Sequence, residues 1–179
     1  MIEMRVMGIA LDTRTGSPIV VLNDKENRKA LPIWIGSAEA SAIIRKIENI
    51  PSSRPMTHDL FIDIAQKSEY KITKVEINDV DDQTYFSSIY MHNEVLNKEI
   101  AIDSRPSDAI AIALRADVPI FVTTNVLATG LVSTDVEKDE QEAAEFKNFI
   151  QDIKPSDFEK LLKKNFESDQ WVPSSFIKI

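Results

Sequence analysis

The segment 106–116, PSDAIAIALRA, limits the folds open to this chain more than any other stretch. After a polar first turn it is apolar nearly all round. A helix with a single apolar stripe lies on a surface, whereas a helix apolar on every side has to be covered on every side. The sequence therefore predicts a central buried helix, and the rest of the chain must supply its cover.

Strand-like segments supply most of that cover. Residues 3–35 read as a three-strand group. MRVMGIALD is apolar and rich in branched side chains, Thr15-Gly16-Ser17 signals a turn, PIVVLND follows, and a charged turn leads into ALPIWIG. Gly36-Ser37 opens a helix, AEASAIIRKIEN, whose small residues allow close packing. Asn49 suits the left-handed position just past that helix, and Pro51 bars its continuation. A second helix over about 57–69 starts at Thr57, with Leu60, Phe61, Ile64 and Ala65 as its buried stripe. A second three-strand group follows as KITKVEINDV, TYFSSIYMHN and KEIAID, turned at Asp81-Asp82-Gln83. The central helix comes next, and PIFVTT adds one more strand. The expected fold is α+β: two meandering groups of antiparallel or mixed strands with buried helices, plus a C-terminal helical tail.

That tail begins near Ser133. Thr134…Glu137 and Ser156…Glu159 both have capping-box spacing. Each precedes a stripe of period 3.6, Ala143, Phe146, Phe149, Ile150 and Ile153 in the first and Phe158, Leu161, Leu162 and Phe166 in the second. The domain reading is thus an α+β domain over 1–132 and an acidic helical appendage over 133–179. With two tail helices and much apolar strand material on a small domain, a homodimer or higher homo-oligomer is expected.

Composition removes several function classes. The chain has no cysteine, which excludes a disulfide framework, thiolate metal sites and a cysteine nucleophile. Its two histidines, His58 and His92, cannot make a three-histidine zinc site within one chain. Charged residues in the first dozen positions do not resemble the apolar core of a signal peptide, and no apolar run reaches membrane-spanning length. The expectation is a cytoplasmic protein with no membrane partner. A net charge of −8 argues against a broad basic face for nucleic acid. Residues 133–152 carry a net −5 of that charge, which leaves room for a local basic patch on the body. With four glycines there is no Gly-rich phosphate loop, and no organic cofactor is expected.

The polar residues with chemistry to offer sit at two helix entrances that share the tripeptide Ser-Arg-Pro. In the first, Arg54-Pro55-Met56-Thr57-His58-Asp59, open backbone N–H groups favour an anion and Arg54 could clamp a phosphate. His58 could move a proton near neutral pH while Asp59 orients it or binds a metal. The plainer reading makes Thr57 a helix cap, Asp59 a dipole partner and Arg54 half of an ion pair. In the second, Asp103-Ser104-Arg105-Pro106-Ser107-Asp108, a strand end meets a helix start. Asp103 and Asp108 could share a divalent cation, Mg2+ or Mn2+, with Glu39 as a third carboxylate. Here too capping and an Arg–Asp pair would account for the residues, and Glu39 fits a capping acid paired with Gly36. His92 reads as a strand-face residue. If the two entrances converge, Arg54, Thr57, Arg105 and Ser107 would hold substrate, and His58, Asp59, Asp103 and Asp108 would act on it.

These strings carry a resemblance. ALPIWIGSAEASAI, then RPMTHDL, then IDSRPSDAIAIALRADVPIFV are similar, in that order, to the bifunctional nuclease domain family, along about residues 3–130. FKNFIQDIKPSDF resembles tails that follow such domains. The resemblance implies an α+β fold that associates into oligomers and a nuclease activity on DNA and RNA. The positions that match its motifs are Glu39, Arg54, Thr57, His58, Asp59, Asp103, Arg105, Ser107 and Asp108. Two departures stand out, Asn49 and Gln83, at places where the family often has glycine; neither touches the polar motifs. Two function classes follow: a metal-assisted phosphodiesterase acting on nucleic acid, and a non-enzymatic oligomeric binding or regulatory module.

Overall fold

The computed structural model describes residues 1–82 and 84–130 and the backbone of 132–133. The two tail helices expected beyond Ser133 lie outside the described residues. Three strands open the chain, β1 (Ile2–Leu11), β2 (Pro18–Asp24) and β3 (Lys29–Trp34), followed by α1 (Ser37–Ile47) and α2 (Thr57–Lys67). Three more strands follow, β4 (Tyr70–Asp81), β5 (Thr84–Asn93) and β6 (Lys98–Ser104), then α3 (Pro106–Ala116), β7 (Ile120–Val122), α4 (Thr124–Gly130) and β8 (Val132–Ser133).

Both expected strand groups form as antiparallel meanders, and they are halves of one mixed sheet of order β6-β5-β4-β7-β1-β2-β3-β8. The seam is β7. Its three residues pair antiparallel with Ile2–Met4 of β1 and parallel with Val75–Ile77 of β4. The sheet also curls. A Cβ at Gly130 of α4 would overlap both the Tyr85 hydroxyl of β5 and Leu31 of β3. Those strands stand five places apart in the sheet. In a flat sheet five places span about 24 Å, so the two halves must fold toward each other around α4 and the other helices.

The enclosed space holds the predicted central helix. In α3, Ala109, Ile110, Ala111, Ile112 and Ala113 are all buried, packed in one cluster with Ile43 and Ile44 of α1, Val75 and Ile77 of β4 and Ile89 of β5. Truncating a fully buried isoleucine such as Ile110 removes transfer energy and leaves a cavity, at a cost of about 2–5 kcal/mol. β2 is buried along its whole length. Val20 and Leu22 face the main core, while Ile19 and Val21 join Ala10 and Ala30 in a small cluster on the other side.

The end of α1 follows the sequence reading. Asn49 is left-handed at φ 53°. Its N–H donates to the Lys46 carbonyl and the Ile50 N–H to the Arg45 carbonyl, the paired closure of a Schellman ending. The start of α2 differs from expectation. Met56 is the N-cap, so Thr57 is an exposed first helical residue and caps nothing. The backbone N–H that needs satisfying is that of Met56, and Asp59, three residues on, accepts it through Oδ2 at 2.8 Å. Helix α4 carried no periodicity long enough to be read in the sequence. Among the described residues no helix is long and apolar enough to cross a membrane.

Candidate functional site

The first turns of α1, α2 and α3 meet in one hydrogen-bonded cluster. Arg105 is the N-cap residue of α3. A cation there faces the positive end of the helix dipole, a poor position unless carboxylates surround it. Two do. Arg105 Nε donates to Asp108 Oδ2 at 2.8 Å and Nη2 to Oδ1 at 3.3 Å, while Nη1 donates to Glu39 Oε1 at 2.8 Å. Asp108, and then Glu39, hold the guanidinium above its ordinary range, so Arg105 stays charged. Glu39 occupies the third position of α1 behind the N-cap Gly36, as a capping acid would, but it spends an oxygen across the helix interface. A Cβ at position 36 would overlap Glu39 Oε2, so glycine there makes room for the carboxylate.

His58 joins from the first turn of α2, with Nε2 3.3 Å from Asp108 Oδ1. Its other ring nitrogen, Nδ1, is buried and has no partner. A buried N–H without an acceptor costs more than a buried lone pair, so the neutral ring carries its proton on Nε2 and donates it to Asp108. The Nδ1 lone pair is then left lacking a donor.

Asp59, the next residue, turns elsewhere. Its Oδ1 accepts from Arg115 Nε at 2.9 Å, and Arg115 also donates to the carbonyls of Ala42 and Ala111 at 3.0 and 2.9 Å. The side chain of Arg115 is 8% exposed, and it ties α1, α2 and α3 together. Arg115 is not among the residues that the sequence motifs mark for function. The signal was present, because a lone arginine inside an otherwise apolar helix needs a buried acid and carbonyls around it.

The two entrances therefore converge in part. Glu39, His58, Arg105 and Asp108 come together. Ser107, buried beside Arg105, borders with it a cavity of about 890 Å³ whose wall includes Trp34, Tyr85 and Gly130. Trp34 is 55% exposed, and its Nε1 donates to Asp12 Oδ2 at 3.2 Å, which fixes the ring in place. Neither Trp34 nor Tyr85 was singled out in the sequence, since an aromatic on a strand reads as core. Arg54 does not enter the cluster. It lines a second cavity of about 570 Å³ with Arg45, Lys46 and Arg115. Asp103 is exposed on β6, opposite Ser88 of β5.

Among the described residues no three His, Asp or Glu side chains form a group that could hold a metal ion. The expected trio of Glu39, Asp103 and Asp108 is thus not assembled. The carboxylate oxygens of Glu39 and Asp108 that face one another already surround a guanidinium, which takes the place a cation would need. These donors do not fit a divalent metal as they stand.

The bifunctional nuclease domain model matches residues 20–135, which include every residue of the cluster. An uncharacterized protein of Mycobacterium tuberculosis is 35% identical over 165 residues, covering 87% of this chain and 97% of that protein. Bifunctional nuclease 2 of Arabidopsis thaliana is 30% identical over 108 residues, covering 59% of this chain and 32% of the plant protein. Bifunctional nuclease 1 of Oryza sativa subsp. indica is 27% identical over 117 residues, covering 64% and 35%. The plant proteins are thus matched over about a third of their length. With its matched stretch holding more than half of its residues and all of the clustered side chains, the chain belongs to the bifunctional nuclease domain family.

Proposed function

We propose that this chain hydrolyses phosphodiester bonds in DNA or RNA at the cluster of Glu39, His58, Arg105 and Asp108. The observation that carries the reading is the meeting of a charged, 66% exposed arginine with an Asp–His pair at the rim of a cavity walled by an anchored tryptophan. An arginine fork matches a phosphate, and an exposed aromatic ring stacks any base. A phosphate arriving at Arg105 competes with Asp108 and Glu39 for the guanidinium. Asp108, so released, keeps His58 as its partner; such a carboxylate can take a proton from the water that attacks phosphorus and return it to the sugar oxygen that leaves as its P–O bond breaks. The names of the plant relatives support the same reaction class.

A second reading is favoured by one observation, that Arg105 is engaged by two carboxylates while His58 has one ring nitrogen on Asp108 and the other buried. On that reading the face binds nucleic acid without cutting it. Cleavage of labelled single-stranded DNA and RNA oligonucleotides by highly purified protein separates the two, run with Mg2+, with Mn2+ and with chelator. Hydrolysis should fall at least about 100-fold in His58→Ala, the usual scale for disabling proton transfer, because Asp108 loses the imidazole that positions it. Its melting temperature should move little, because the ring leaves one buried nitrogen unsatisfied. Equal cleavage by wild type and variant would remove His58 and the cluster from the reaction.

A further inference from the structure

The cavity beside Arg54 lies apart from the cluster and is lined by different residues. We infer that it is a second phosphate-holding station, so that the ligand is a polynucleotide strand long enough to reach both cavities rather than a single nucleotide. The inference rests on the proposed function for the identity of the strand, and on the cavity itself for the charge that holds it.

Four cations line this cavity, Arg45, Lys46, Arg54 and Arg115, against Asp59 and Asp63. Arg115 is spent on Asp59. That leaves Arg45, Lys46 and Arg54 facing Asp63 in a chain whose net charge is −8. None of the three forms an ion pair with a described residue. Three cations against one carboxylate leave this wall with an excess of positive charge, whose mutual repulsion a bound polyanion relieves.

The wall is built rather than loose. The closure of α1 at Asn49 and Ile50 sets the direction of the chain as it leaves the helix. Arg45 Nη1 then reaches the Pro51 carbonyl at 3.4 Å. Pro51 and Pro55 restrict the backbone on either side of Ser52-Ser53-Arg54. Pro55 thus holds the Arg54 backbone to extended conformations, which lowers part of the ordering cost of binding.

The first turn of α2 separates the two stations. His58 reaches Asp108 and the Arg105 cluster on one side, and Asp59 reaches Arg115 and the second cavity on the other. A strand crossing that turn would place one phosphate at Arg105 and its neighbours along Arg54, Lys46 and Arg45.

The test measures binding of a labelled single-stranded 12-mer of DNA across a salt series by fluorescence anisotropy. The wild type is compared with a triple variant, Arg45→Gln, Lys46→Gln and Arg54→Gln. A control carries Lys25→Gln, Arg28→Gln and Lys98→Gln, three cations that do not line the cavity. Each cation withdrawn from a phosphate lowers the slope of log affinity against log salt by about 0.7 for single strands. The cavity variant should therefore lose about two units of slope and at least about tenfold in affinity at 0.1 M salt, while the control keeps most of both. Equal losses in the two variants, or none in either, overturn the station. Cleavage is read separately, so a wild type that binds through this cavity but does not cut would end the nuclease reading and leave the station standing. Melting curves show that each variant is folded.

Discussion

The two Ser-Arg-Pro entrances share three residues and a nearby acid, yet their arginines have opposite fates. At the second, Arg105 is the N-cap of α3 and Pro106 its first residue, so the guanidinium lies against the first turn and pairs with Asp108 and Glu39. At the first, the N-cap is Met56, which puts Arg54 two residues before the helix frame. Asp59 and Asp108 occupy the same third position, and aligning the helices pairs Met56 with Arg105 rather than Arg54 with Arg105. A two-residue slip decides whether an arginine is consumed by the fold or left to line a cavity. The slip was visible in the sequence, since the acid follows the proline by four residues in one case and by two in the other.

The sharpest way to break the comparison is to remove the arginine that does the holding at the first entrance. Arg115→Ala should destabilise the protein by about 3 kcal/mol, because it leaves Asp59 and two carbonyls without their donor. In a domain of this size that is a fall of about 10 °C in melting temperature. A shift below about 2 °C would mean that the three-helix tie contributes little.

A smaller effect separates the namesakes. Arg105→Ala should cost at most about 1 kcal/mol, since the guanidinium is largely exposed and its pairs are partly screened. Arg54→Ala, with no ion pair to lose among the described residues, should leave the melting temperature unchanged within error. Equal losses at both positions would show that the frame slip does not matter.

The smallest effect is a pH dependence to which the Arg105 side contributes through Tyr85. Tyr85 stands in the cavity beside Arg105, and burial raises its hydroxyl above the ordinary value of 10.0. A folded-state value above the unfolded one means stability that is complete below about pH 10 and lost as pH climbs toward the raised value. Tyr90, also on β5 and raised by its hydrogen bond to Glu76, adds to the same loss from outside that cavity. Tyr85→Phe should flatten part of the alkaline fall in melting temperature. An unchanged curve would show that the hydroxyl is not shielded.

Much of the fold was legible because it is local. Both meanders, the burial of α3 and the Asn49 ending of α1 follow from periodicity and turn chemistry within short windows. The cluster was legible in its residue types but not in its grouping. Glu39, His58, Arg105 and Asp108 were all marked, and their meeting depends on how α1, α2 and α3 cross, which no spacing encodes. Asp103 and Arg54 lie near the clustered residues along the chain but outside the cluster in space. Trp34 and Arg115 were missed because each looks like packing within its own element and becomes a tether or a wall only through a partner far away.

The three residues of β7 also govern when this sheet can exist. Ile2 pairs with Val122, and Val75 with Ile120, so β1 must wait for β7, far later in the chain, before its outer edge is satisfied. During synthesis the β1–β2–β3 meander leaves the ribosome early with an open edge on β1, and β4–β5–β6 follows with another on β4. Pairing of partners so distant is slow, and open edges invite pairing with other chains. A nascent chain halted before residue 120 would carry two half-sheets without the strand that joins them. The window of greatest risk for aggregation therefore closes only when a tripeptide near the end of the domain slides between them.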